Sequence, residues 1–137
     1  SSDGSVRSPI APYNNLMLAA TPGTLILTIK HRNHLAAGKK VTIDATSTNA
    51  VVNFSSGLTT SQMQFPSGTK ALWPGDIDHD NEIGSVDVEK AKTSFLNGDF
   101  DAYLDTDVDM DTETGGVDVE KVKTSFLSGP FLDYSTL

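Results

Sequence analysis

The chain has 137 residues, enough for one domain or two small ones, and a formal net charge of -8. It has no cysteine, which excludes disulfide staples, thiolate metal ligands and cysteine nucleophiles. No apolar run approaches the ~20 residues of a membrane-spanning helix, and an acidic chain of this kind is a poor nucleic-acid binder, so neither membrane insertion nor a nucleic-acid partner is expected.

Residues 1–20, "SSDGSVRSPIAPYNNLMLAA", come first. The opening "SSDGSV" reads as a mature end left after processing. Pro9 and Pro12 argue against a helix and for an extended form. Yet Val6, Ile10, Tyr13, Leu16, Met17 and Leu18 are too apolar for a plain linker. Residues 13–20 read as a first strand, and 1–12 as a segment that needs a surface to lie on.

Residues 21–74 read as β. "TLILTIKH" (24–31) and "KVTIDAT" (40–46) alternate apolar and polar side chains, and "AVVNF" (50–54), "TTSQMQF" (59–65) and "TKALW" (69–73) are further short runs. Pro22-Gly23, Ala37-Gly38, Ser56-Gly57 and Pro66-Ser67-Gly68 supply turn signals between them. Short strands at this spacing predict a small antiparallel β-sandwich with an exposed sheet edge. "HRNH" sets His31 and His34 three apart. On a strand the two rings would point to opposite faces, so a pair of surface histidines is the expectation. "NFS" makes Asn53 an N-glycosylation acceptor pattern, and the Ser/Thr content of 46–61 would suit O-linked sugar.

The charge splits near "WPGD" (73–76). Before residue 75 there are 2 acids and 6 bases, a balance of +4; from there on, 16 acids against 4 lysines give -12, and the sum returns -8. Residues 75–137 therefore form a second module, and that module repeats itself. "GSVDVEKAKTSFLNG" (84–98) and "GGVDVEKVKTSFLSG" (115–129) match at 12 of 15 positions, with an offset of 31 residues (107 minus 76).

Ahead of each copy lies an acidic loop, "DIDHDNEIGSVD" (76–87) and "DVDMDTETGGVD" (107–118). Carboxylates this close repel unless a cation sits among them. Hard cations such as Ca2+ take six to eight oxygens from such a loop. The expected ligands are Asp76, Asp78, Asp80 and Asp87 in the first loop, and Asp107, Asp109, Asp111 and Asp118 in the second. Glu82 and Glu113 would contribute their backbone carbonyls at the seventh position. A frame two residues later would end on Glu89 or Glu120 but puts Ser85 or Gly116 at the eighth place, where an apolar residue usually pins the loop. The first frame puts Ile83 and Thr114 there. The sixth position, usually glycine, holds Asn81 and Thr112; a β-branched threonine fits the left-handed region poorly.

Val88, Ala91 and Phe95, with Leu96 alongside, then mark a helical stripe, repeated by Val119, Val122, Phe126 and Leu127. Gly98 and Gly129 are placed to end the helices, and Pro130 stops the second.

Residues 75–130 resemble a dockerin, the duplicated calcium-loop-and-helix module of extracellular bacterial proteins. The resemblance rests on the unit D-x-D-x-D-x-x-x-x-x-x-D-V-E-K-x-K-T-S-F-L at 76–96 and 107–127. It implies two EF-hand-like Ca2+ sites per chain, two roughly antiparallel helices, and an extracellular or cell-surface setting. Dockerins often carry a hydroxyl pair at the tenth and eleventh loop positions for a cohesin; here those places hold Ser85-Val86 and Gly116-Val117. The fold class expected is α+β, a sandwich followed by a dockerin-like module. No G-x-S-x-G or similar nucleophile setting appears, and an enzyme is not expected. The expected function is a calcium-stabilised structural protein that polymerises with copies of itself through its N-terminal segment, with the basic module of one copy facing the acidic module of the next. The alternative is a module that docks to a cohesin-like partner.

Overall fold

A computed structural model describes residues 21–46, 52–54, 61–101 and 104–135. The segment 1–20, residues 50 and 51 of the predicted strand 50–54 and the serine of the N-F-S triplet lie outside the described residues; residues 52–54 are not in a strand, and Asn53 is exposed. The fold is α+β. Strand β1 (Gly23–Ile29) pairs antiparallel with β2 (Ala37–Ile43), β3 (Gln62–Gln64) pairs antiparallel with β4 (Lys70–Leu72), and helices α1 (Ser85–Asn97) and α2 (Gly116–Ser128) follow. The described strands form two separate two-stranded sheets.

Two details of the β region differ from the sequence pattern. Ala37-Gly38, a predicted turn, begins β2, where Gly38 faces Thr28. Ile26 and Ile29 are 43% and 39% exposed, so among the described residues no second sheet covers these side chains. The first difference follows from the β1–β2 connection. Instead of turning tightly over solvent, it docks on the segment before the first acidic loop. Leu35 N–H donates to the Trp73 carbonyl at 2.8 Å, and Gly75 N–H donates to the Asn33 carbonyl at 2.8 Å. Leu35 and Ala36 thereby enter one core with Ile77, Ile83, Ala91, Val108, Val122 and Leu132. The chain approaches α2 closely at Gly75, where an added Cβ would sit 3.1 Å from a Val122 methyl and 3.3 Å from its Cα.

The helices start and stop where the repeat places them. Gly98 and Gly129 take the left-handed conformation at the two C-caps, with φ 68° and 62°. The buried face is rotated from the predicted stripe. Ala91 and Val122 are fully buried and Val88 and Val119 pack against them, but Ser94 and Ser125 point inward while Phe95 and Phe126 are 46% and 40% exposed. Ser94 goes inward because it has hydroxyl partners there. Its Oγ donates to Asp99 Oδ2 at 2.8 Å, and Thr106 Oγ1 donates to it at 2.9 Å. Thr114, at the eighth position of the second loop, is buried with its Oγ1 2.7 Å from Thr106 Oγ1. Threonine replaces the usual apolar residue there because it belongs to this hydroxyl cluster.

The two repeats are cross-connected. Glu82 bridges Phe131, and Glu113 bridges Phe100, so the seventh residue of each loop pairs with the chain that follows the other loop's helix. Thr114 N–H accordingly donates to the Asp99 carbonyl at 3.1 Å, and Ile83 N–H to the Pro130 carbonyl at 3.4 Å. Each loop is thus held in place by the opposite repeat.

Candidate metal centre

Each acidic loop is built around its last carboxylate. Asp87 is the third residue of α1 and is almost fully buried. Its Oδ1 accepts the Ile77 and Asp78 N–H groups at 2.7 and 3.1 Å, and its Oδ2 accepts Gly84 N–H at 2.7 Å. Asp118 repeats this, taking Val108, Asp109 and Gly115 N–H at 2.8, 3.1 and 2.8 Å. A carboxylate near a helix N-terminus is favoured by the helix dipole. Here it also ties the start of the loop to the start of the helix.

Inside that frame the remaining acids turn toward one another. Asp80 Oδ1 accepts Glu82 N–H at 3.0 Å, and Asp111 Oδ1 accepts Glu113 N–H at 3.1 Å. Asp107 accepts Asp111 and Thr112 N–H through its two oxygens, at 3.1 Å each. The result is two groups whose oxygens lie within 4.8 Å of one another, Asp76, Asp78 and Asp80 in the first and Asp107, Asp109, Asp111 and Asp118 in the second. The second group contains all four side chains expected from the sequence. The first contains three: Asp87 lies outside it, although its backbone N–H partners repeat those of Asp118. Glu82 and Glu113 are exposed and their side chains take no part, which leaves only their backbone to contribute.

Among the described residues, three carboxylate oxygens are buried without a hydrogen-bond partner, Asp76 Oδ1, Asp78 Oδ1 and Asp109 Oδ1. Asp76 is fully buried. An unsatisfied buried acceptor costs ~1–3 kcal/mol, and more when charged. A cation among these oxygens would remove that cost.

The basic residues of the first half reach these loops within the same chain. Lys30 Nζ lies 3.0 Å from Asp76 Oδ2, and Arg32 lies 3.7 Å from Asp107 Oδ2. Lys121 of α2 lies 3.1 Å from Asp109 Oδ2. The buried Asn33 donates from Nδ2 to the Asp107 carbonyl. At these positions the opposed charge of the two halves is used internally rather than left for a neighbouring copy. Sequence reasoning missed all four residues. The charge split was a signal for Lys30 and Arg32, but nothing local marks Asn33. Lys30→Gln should tighten cation binding at the first loop by roughly threefold to tenfold, since it removes a partly screened competing charge. Calorimetric titration of the two proteins checks this, and unchanged affinity at both loops would show that Lys30 does not compete.

The loop backbone curls through four left-handed residues, His79, Asn81, Met110 and Thr112, with φ of 64°, 75°, 65° and 82°. The fourth and sixth positions match between loops, so the second loop keeps its turn despite the threonine. That conformation costs a β-branched residue about 1–2 kcal/mol. Thr112→Gly should therefore stabilise the protein by about 1 kcal/mol, allowing for glycine's extra unfolded-state entropy, and Asn81→Gly by less. Urea midpoints of the two variants measure the difference, and equal shifts would show that Thr112 is unstrained.

His31 and His34 fall on the turn after β1, and their rings converge, with Nδ1 atoms 3.2 Å apart. They do not point to opposite faces as strand residues would. Burial, then His31 and Lys121, lower the His34 pKa to about 4.

No protein-family model, curated protein or solved structure matches the chain.

Proposed function

We propose that the chain is a calcium-stabilised structural module of dockerin-like design, exported from the cell, that assembles with copies of itself. The observation that carries the calcium part is the fully buried Asp76, whose Oδ1 has no hydrogen-bond partner and whose carboxylate clusters with those of Asp78 and Asp80. All donors in both groups are oxygens, which suits a hard divalent cation. Asp76, Asp78 and Asp80 would hold one ion, and Asp107, Asp109, Asp111 and Asp118 another; Asp87 would serve the first chiefly by holding its loop. The ions would bind the loops that the cross-connected repeats depend on. In this reading the two β-ladders are the described part of a small antiparallel sandwich. No catalytic step is part of the proposal.

The assembly part is supported by apolar side chains left exposed in repeat-related pairs. Val86 and Val117 are 54% and 58% exposed, and Leu96 and Leu127 are 72% and 75% exposed. Surfaces of this kind mark interaction sites when they are contiguous, and residues 1–12 of a neighbouring copy are the proposed occupant.

Titration calorimetry tests the first part, with two Ca2+ per chain expected and a lower melting temperature of the helices in excess chelator. A chain that keeps its helices and its melting temperature without calcium would refute it. Light scattering of the full chain and of one lacking residues 1–12 tests the second. Assembly that needs the segment supports the proposal. Identical oligomers without it, or a monomer in both cases, would turn the exposed pairs over to the cohesin-like alternative.

A further inference from the structure

The turn between β1 and the docked Leu35 carries a second set of converging ligand atoms. His31 Nδ1 and His34 Nδ1 are 3.2 Å apart, and Asn33 Oδ1 lies 3.1 Å from the first and 2.8 Å from the second. The rings stand edge to face, with centroids 4.9 Å apart. The amide cannot be turned round to relieve this. Its Nδ2 is already donating to the Asp107 carbonyl, so the oxygen is the atom that faces the rings.

Hydrogen bonding alone does not satisfy this triangle. The amide oxygen only accepts. With a proton on neither Nδ1, three lone pairs converge. With a proton on one, the other nitrogen's lone pair still faces the amide oxygen. With protons on both, two N–H groups point at each other. A cation at the centre satisfies all three atoms at once. For zinc, with bonds of about 2.0–2.1 Å, tetrahedral geometry sets neighbouring ligand atoms roughly 3.3 Å apart. The three edges, 3.2, 3.1 and 2.8 Å, lie from about 0.1 to about 0.5 Å inside that.

The scaffold is also built to hold the atoms in place. Asn33 is fully buried, and its carbonyl accepts Gly75 N–H at 2.8 Å. His34 N–H donates to the His31 carbonyl at 3.2 Å, closing the turn, and His34 bridges Pro74. Both rings are only half-buried, so water can complete the coordination.

The geometry points to a metal site apart from the acidic loops, formed by His31 Nδ1, His34 Nδ1 and Asn33 Oδ1, that takes a borderline divalent ion of the zinc, nickel or copper class. Imidazole nitrogen suits these ions, whereas the all-oxygen loops suit a hard cation, so the two kinds of site select different metals. The site does not depend on the calcium reading. It fastens the turn that inserts Leu35 into the core, so its ion raises the stability of the folded chain by mass action.

Zinc titrated into the whole protein in saturating calcium tests it. One zinc per chain is expected, with a rise in melting temperature. His31→Ala and His34→Ala should each weaken zinc at least tenfold, the least that losing a ligand should cost. His79→Ala, the third histidine, should leave zinc affinity unchanged. Proton resonances of the His31 and His34 rings should shift in the unmodified protein while those of His79 do not, which needs no variant to fold. Repeating the titration with Asp78→Asn and Asp109→Asn separates zinc taken up by the loops. Absence of zinc binding, or binding that survives both histidine substitutions, overturns the site. Failure of calcium to bind the loops would not.

Discussion

Asp118→Ala should destabilise the protein by about 3–5 kcal/mol even with no metal present. The carboxylate is buried and accepts three backbone N–H groups, from Val108, Asp109 and Gly115. Hydrogen bonds to a charged acceptor contribute ~1.5–3 kcal/mol each, but three bonds to one group do not add independently. Loss of the whole set leaves buried donors unpaired and frees the start of the loop from the start of α2, hence the estimate. Asp118→Asn should cost less, because an amide oxygen can still serve two of the donors. Asp87→Ala should match Asp118→Ala in chelator, since Asp87 holds Ile77, Asp78 and Gly84 in the same way. The pair should separate when cation binding is measured. Asp118 belongs to its carboxylate group and Asp87 does not, so Asp118→Ala should abolish binding at its loop directly, and Asp87→Ala only as far as its loop opens. Urea unfolding in chelator reads the first effect and calorimetry the second. A loss under about 1 kcal/mol in chelator would mean that these carboxylates do not hold the loops together.

What the sequence made legible was local. The acidic spacing, the third-residue aspartates, and Gly98 and Gly129 all act within a dozen residues. The loops and both helices therefore lie where the repeat puts them. The buried face was less legible, because hydrophobicity alone turns Phe95 and Phe126 inward. The space beside the second loop is instead lined by Thr106 and Thr114, and hydroxyls pack there at lower desolvation cost than a ring would. The docked turn was not legible at all. Leu35 sits in "NHLAAG", with no periodicity to mark it as core. Its burial depends on which distant segment covers the open side of the two-helix pair. The charge split was visible, but a Coulomb imbalance does not say which molecule balances it. Lys30 and Arg32 find their partners in the same chain.

That shared core leads to the other large effect. Leu35→Ala should lower stability by about 2–5 kcal/mol, the range for truncating a fully buried leucine. Leu35 is fully buried, its N–H is held by the Trp73 carbonyl, and its side chain belongs to a cluster drawn from both acidic loops and both helices. The surroundings have little room to collapse into the gap. Asn33 and Ala37 on either side are also fully buried, and the backbone is pinned at Gly75 and Trp73. The informative readout is the helical signal. The residue lies in the β region, 50 positions before the first residue of α1 (85 minus 35). If the hairpin were an independent module, its loss would leave α1 and α2 melting as before. A single core predicts that the helices melt earlier, by on the order of 10 °C, in one transition shared with the β signal. Far-ultraviolet circular dichroism follows the helices and Trp73 fluorescence follows the docked turn. Coincident, lowered transitions are the expected result. A helical transition that stays at its original temperature while the Trp73 signal moves would show that the hairpin rests on the helices without stabilising them.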